Sequence, residues 1–180
     1  MTELLLDTCE VPEGALETGI LSMECRASFE LFTKEFWPCV PGVEKLKWNW
    51  HLEVFCSELE KLAVRVFNGV PREHDLVINV SPGTSKSTIH SILFPAWVWT
   101  RMPRARIITA SHTESLVVDL ASKARDVIKS EKYQACFPDV RIRPDRDAKS
   151  EYATKEGGER RVCTVAGKTP LGFHAHFCFG

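Results

Sequence analysis

An α/β fold with a three-layer αβα core behind a helical N-terminal segment is predicted by three observations. Apolar residues recur at helical spacing between Leu21 and Phe67, and after Asp75 the pattern changes to alternating strand and helix units. The first of those strands, Leu76 to Val80, runs through a short polar loop into another helical pattern (Ile89, Ile92, Leu93). With 180 residues, 44% of them hydrophobic and 26% charged, the chain can build one well-cored soluble domain. Its formal charge of −1 supplies no net field for nucleic acid, so any DNA contact must be local or made by an assembly.

Residues 1–20 are polar and acidic, with Pro12, Gly14 and Gly19, and are expected to form a flexible lead-in. Residues 21–75 form the helical segment. Met23, Ala27, Leu31 and Phe32 predict one helix from Leu21 to Phe36, stopped by Pro38 and by Pro41 with Gly42. Leu52, Phe55, Leu59, Leu62, Ala63 and Val66 predict a second from Trp50 to Phe67, ended by Asn68 and Gly69. Trp37, Trp48 and Trp50 are expected to pack between these helices rather than to stack on bases.

Residues 76–180 form the α/β part. After the strand and its loop, a helix should be interrupted near Pro95, which has no N–H to donate, and Arg101 to Pro103 should close the unit. Arg106 to Ala110 reads as the second strand. Ser111, with Glu114 three residues on, predicts a capping box opening a helix whose apolar face is Leu116, Leu120, Ala124, Val127 and Ile128. The unit ends over Tyr133 to Pro138, and Asp139 to Ser150 is a charged loop. Glu151–Thr154 and Glu159–Val165 then form a hairpin through Lys155 to Gly158. A Gly- and Pro-punctuated connector, Gly167 to Gly172, leads to a last buried strand within His176 to Gly180.

The seven cysteines are odd in number and scattered, with no C-x-x-C pair, and read as reduced intracellular thiols. No segment approaches the roughly 20 apolar residues of a membrane span. Two basic clusters, Arg101, Arg104, Arg106 and Arg141, Arg143, Arg146, read as solvated loop residues. His174 and His176 could share a strand face, but no carboxylate or third histidine lies close in sequence, so a structural or solvent-facing role is expected.

Chemistry concentrates in Ser81, Pro82, Gly83, Thr84, Ser85, Lys86, Ser87 and Thr88. A strand, a short loop and a helix opening on Lys-Ser form the pattern of a phosphate-binding loop. Its backbone amides cradle a polyphosphate, Lys86 neutralises the outer phosphates, and the Ser87 hydroxyl ligates Mg²⁺. Ser85 and Val80 stand where the two glycines of the common G-x-x-x-x-G-K-[ST] motif would be. A strand-turn-helix with a surface lysine is the plainer alternative.

The order of elements, beyond the loop alone, resembles the ATPase domain of the large terminase subunit of tailed bacteriophages. Ser81 to Ser87 is similar to the Pro-Pro-[Arg or Gly]-x-x-Lys-Ser loop of one branch. Further likeness runs through Phe94 to Trp97, Arg106 to Ser111, Arg125 to Ser130, Tyr133 and Gln134, Phe137 and Pro138, Gly157 to Arg160, Val165 to Gly167, and Gly172. The resemblance implies a P-loop NTPase core using ATP and Mg²⁺, with Lys86 as catalytic lysine, Ser81 to Thr88 around the nucleotide and Ser87 on the metal. It implies packaging of double-stranded DNA into a procapsid, with the portal protein, the small terminase subunit and a homo-oligomeric ring as partners. The location would be the host cell cytoplasm rather than the mature virion.

In this family the strand aligned with Phe177 to Phe179 leads into the Walker B acids, with a coupling motif and a nuclease domain beyond. The resemblance therefore ends at the Walker B strand, and no catalytic base is assigned. Ser85 stands where most relatives carry glycine. Trp50 to Leu52 are expected to cover the adenine side, and Arg101, Arg104 and Arg146 are the possible trans-acting arginines. Alternatives are a nucleotide-binding but catalytically incomplete fragment, another P-loop ATPase of helicase type, and an interaction domain in which the loop is a structural turn.

Overall fold

The computed structural model describes residues 14–164 and 172–180. Three helices come first: α1 (Ala15–Ala27), α2 (Phe29–Phe36) and α3 (Trp50–Phe67). A π-helical stretch, Thr88–Leu93, then continues directly into α4 (Phe94–Arg101). The rest is β1 (Arg106–Ser111), α5 (Glu114–Lys129), α6 (Glu131–Cys136), β2 (Ile142–Asp147), β3 (Glu151–Thr154), β4 (Glu159–Thr164) and β5 (Phe177–Phe179). The strands make one mixed open sheet in the order β2-β3-β4-β1-β5, with β4, β1 and β5 parallel and the other pairs antiparallel. The fold is α/β. Among the described residues no helix is long and apolar enough to cross a membrane.

The helical segment is not a separate module. Phe29 touches Phe94 and Trp97, Phe67 touches Trp97 and Phe177, and Trp97 donates its indole N–H to the Cys25 carbonyl at 2.9 Å. One continuous apolar cluster therefore joins residues 25–63 to the sheet. The helix predicted over Leu21–Phe36 is two helices, because Ser28 takes an extended conformation and its hydroxyl caps α2 by accepting from Leu31 N–H. The Glu60 carboxylate on α3 accepts a second orphan donor of that turn, Phe29 N–H, at 2.8 Å. Met23 is solvent-exposed and Cys25 takes the buried place. Ala15 to Ile20, expected in the lead-in, begin α1.

The hairpin forms as expected up to Thr164; Val165 and the connector over residues 167–171 lie outside the described residues. Gly158 makes it possible, since a Cβ there would stand 2.2 Å from the Pro103 carbonyl oxygen. The predicted loop over residues 139–150 instead contains β2. Charge and Pro144 hide this edge strand, where proline is tolerated and charge prevents unwanted pairing. Arg146 pairs there with Glu151 and Glu159, and Asp147 with Arg125 and Lys129.

The cap of α5 is Thr113, with Ser111 ending β1, so the expected capping box does not form. Its buried face is Val117, Ala121, Ala124, Val127 and Ile128, while Leu116 is exposed.

Two further expectations need correction. Leu76–Val80 does not join the sheet. It is extended and alternates, with 76, 78 and 80 half-buried and 77 and 79 exposed, yet it has no ladder. A cavity of about 700 Å³ lies between it and β5, with Leu76 and Ile78 on one wall and Ala175 to Gly180 on the other. A strand without a hydrogen-bonding neighbour is only an extended segment. Second, the described residues give two layers rather than three. Ile107, Thr109, Tyr152, Arg160 and Phe177 point into the helices, whereas Ile108, Ala110, Arg161 and Cys163 on the opposite face stay half-buried.

Candidate functional site

The loop after the extended segment turns through Pro82 and Gly83 and enters a helical run at Lys86 that lasts to Arg101. Gly83 has φ +80° and Ser85 has φ +62°, with Thr84 between them outside the left-handed region. Successive residues that alternate between the right- and left-handed regions are the backbone pattern of anion-binding nests. Gly83 suits its conformation. Ser85 does not, because an L-residue there crowds its Cβ against its own backbone. The turn is held by the Thr84 hydroxyl, which donates to the Ser81 carbonyl at 2.8 Å, and by Ile89 N–H, which donates to the Ser85 carbonyl at 3.1 Å.

Ser81, Pro82 and Gly83 are exposed, and Thr84 to Thr88 are half-buried. The Lys86 ammonium folds back to donate to the Val80 carbonyl at 3.3 Å, at the upstream end of the same loop. Ser87 caps nothing with its side chain, so its hydroxyl is not committed to the helix it opens. These groups suit a phosphate chain, with a cationic amine, left-handed turns and a free hydroxyl within a few residues.

Lys86 shares the cavity with His90, one helical turn on. Burial, then the charges of Arg160 and Lys86, lower the His90 pKa to about 4, so it is neutral at pH 7. Its ring stacks on Phe179 at 6.2 Å and meets Phe55 edge-on at 6.3 Å. The acids lining the cavity are each paired with an arginine, Glu73 with Arg65 and Asp75 with Arg72.

Other expected participants are placed elsewhere. The part of α3 that shares the cavity with Lys86 begins at Phe55; Trp50 is exposed and Leu52 is buried in the core, so Trp50 to Leu52 do not reach it. Arg101 donates to the Arg26 carbonyl and covers the Phe67 ring, and Arg146 is held by two glutamates, while Arg104 is exposed. His176 Nδ1 accepts from Arg106 N–H at 3.0 Å, which gives it a structural role at the start of β1. Among the described residues no group of His, Cys, Asp and Glu could hold a metal ion. Burial pushes the Cys25 and Cys56 thiols up to about 12, so neither is a nucleophile at neutral pH.

Sequence reasoning missed two features beside the loop, the buried Arg160 and the π-helical stretch. A signal existed for the first, since period-2 alternation puts residue 160 on the same inward face as Tyr152 and Val162. Compared with family models, curated proteins and solved structures, the chain matches none.

Proposed function

We propose that Ser81 to Thr88 is a phosphate-binding loop and that the chain is part of an ATP-driven DNA-packaging motor of the large-terminase type. The observation that carries the first half is the paired left-handed turn at Gly83 and Ser85 opening directly onto Lys86 at a helix start. The second half rests on the order of short segments from Phe94 to Gly172 that resemble that family.

In this reading the amides of Gly83 to Lys86 bind the phosphate chain. The Lys86 ammonium leaves the Val80 carbonyl for the β- and γ-phosphate oxygens, exchanging a long neutral contact for a charge-assisted one. Ser87 would hold Mg²⁺, which supplies charge neutralisation on the phosphates when bound. Catalysis would come from positioning and electrostatics around an in-line attack by water. The work done would be translocation of double-stranded DNA through a portal by a ring of subunits, with the small terminase subunit presenting the DNA, in the host cytoplasm.

The missing ladder at Leu76–Val80 favours a second reading, in which the loop is a structural turn of an interaction domain. Thermal melting separates the two. With Mg²⁺ and ADP at about 100 times Kd the melt should rise, since such a ligand adds about 2.7 kcal/mol. Lys86→Ala should abolish the rise, and an unchanged melt in the unmutated chain would favour the structural turn.

A further inference from the structure

Arg160 is the only charged side chain in the buried core of the described residues, at 0% exposure. It is the second residue of β4, opposite Ile107 on β1 and Tyr152 on β3. Its Nη2 donates to the Ser91 carbonyl at 2.7 Å and to the Thr109 hydroxyl at 3.0 Å, while Nε and Nη1 have no partner. No carboxylate among the described residues pairs with it. A desolvated guanidinium without a counter-charge is costly to keep, so what it holds needs explaining.

It holds Ser91, inside the π-helical stretch, and Pro95 explains why that carbonyl is available. In a regular helix the Ser91 carbonyl would accept from residue 95, but Pro95 has no N–H and its ring would collide with that same oxygen. The helix widens instead, and Phe94 N–H bonds five residues back to Ile89. The Ser91 oxygen, which residue 95 has no N–H to satisfy, is the one Arg160 reaches across from the sheet.

We propose that Arg160 and Pro95 together position the phosphate loop: Pro95 turns the Ser91 carbonyl out of the helix, and Arg160 ties it to Thr109 on β1. The tie fixes the angle at which the helix presents Lys86 and Ser87, which lie five and four residues before Ser91. At about 1.5 Å of rise per residue the loop is roughly 7 Å along the axis from the tie, so a small tilt moves both groups. Arg160 is thus a positioning residue that touches no ligand. The proposal rests on the phosphate-loop reading, and its test separates the two.

The test compares the unmutated chain with R160K, P95A, R160K/P95A and K86A by two measurements. These are hydrogen exchange of the amides from 86 to 94 and the Kd for Mg²⁺-ADP by calorimetry. Lysine keeps the charge but not the two-acceptor fork, so R160K should speed exchange there and weaken binding about tenfold, with a melt within a few degrees of the parent. P95A restores a donor to the Ser91 carbonyl, so R160K/P95A should recover both slow exchange and affinity. K86A should lose binding without a change in exchange. Unchanged exchange in R160K, faster exchange with unchanged affinity, or no recovery in the double variant each overturns the proposal. If the unmutated chain binds no Mg²⁺-ADP, the phosphate reading and the positioning role fall together, and exchange alone then reports whether the tie exists.

Discussion

Ser85→Gly should make the protein more stable, which is unusual for a substitution beside a candidate site. Ser85 has φ +62°, where an L-residue carries a penalty of about 1–2 kcal/mol that glycine does not. Glycine gives back about 0.5–1 kcal/mol through the greater freedom of its unfolded chain. The Ile89 N–H bond to residue 85 is to the backbone carbonyl and survives the change. The net is a gain of about 0.5–1 kcal/mol, or about 1–4 °C in melting temperature for a domain of this size. Differential scanning calorimetry of Ser85→Gly, Ser85→Asn and Ser85→Ala reads it. Glycine should rank first, asparagine second because it tolerates the left-handed region, and alanine no better than serine. If the loop is a phosphate site, the relief is common to the free and bound states, so glycine should leave the Mg²⁺-ADP affinity within about twofold. A glycine variant that melts at or below the parent would refute the assignment of residue 85 to the left-handed region, and with it the concavity built there.

Other predictions test the surroundings. Gly158→Ala places a Cβ 2.2 Å from the Pro103 carbonyl oxygen and 2.9 Å from that of Ala105, so the hairpin must move off the approach to β1. A loss of roughly 2–4 kcal/mol in urea unfolding is expected, and a loss under about 0.5 kcal/mol would contradict the close approach. Stability should also fall with acid through His90. Its folded pKa of about 4 lies below the ordinary 6.5, so between those values the unfolded chain binds a proton that the folded one does not. The loss begins near pH 6.5, is complete near pH 4 and amounts to roughly 3 kcal/mol. His90→Gln should remove that share of the slope in urea melts at pH 4.5, 5.5 and 7; parallel slopes would show that His90 titrates normally.

Local signals predicted local structure well. Helix α3 was legible at both ends because its apolar spacing and the Asn68-Gly69 stop are written in one contiguous stretch. The hairpin β3–β4 and strand β1 were legible for the same reason. What failed depended on partners far along the chain. The Leu76–Val80 segment has strand composition and even strand alternation, but pairing is decided by its neighbours, and a cavity separates it from β5. Strand β2 reads as a loop because its charges are satisfied by Arg125, Lys129, Glu151 and Glu159. In α5 the predicted face held at Ala124, Val127 and Ile128, which are buried, and at Leu120, which packs against the core; only Leu116 is exposed, with Val117 taking the buried place in the first turn.

At the site, the loop residues and Lys86 were visible as a motif, and the doubt about Ser85 was visible as a missing glycine. The π-helical stretch was not. Its local cause, Pro95, reads simply as a helix interruption, and the group that reaches the Ser91 carbonyl, Arg160, lies 69 residues away on a strand whose alternation places it inward without naming its partner. Nothing in the spacing of either residue links them until the sheet brings them together.

The central claim is that residues 81–88 grip a polyphosphate through Lys86. Isothermal titration of Mg²⁺-ADP into the 180-residue chain and into Lys86→Ala tests it most directly. The account predicts a saturable one-site isotherm in the parent and an affinity at least about tenfold weaker in the variant, with matching melts in the absence of ligand. No heat of binding in the parent, or equal affinity in the two proteins, would contradict it.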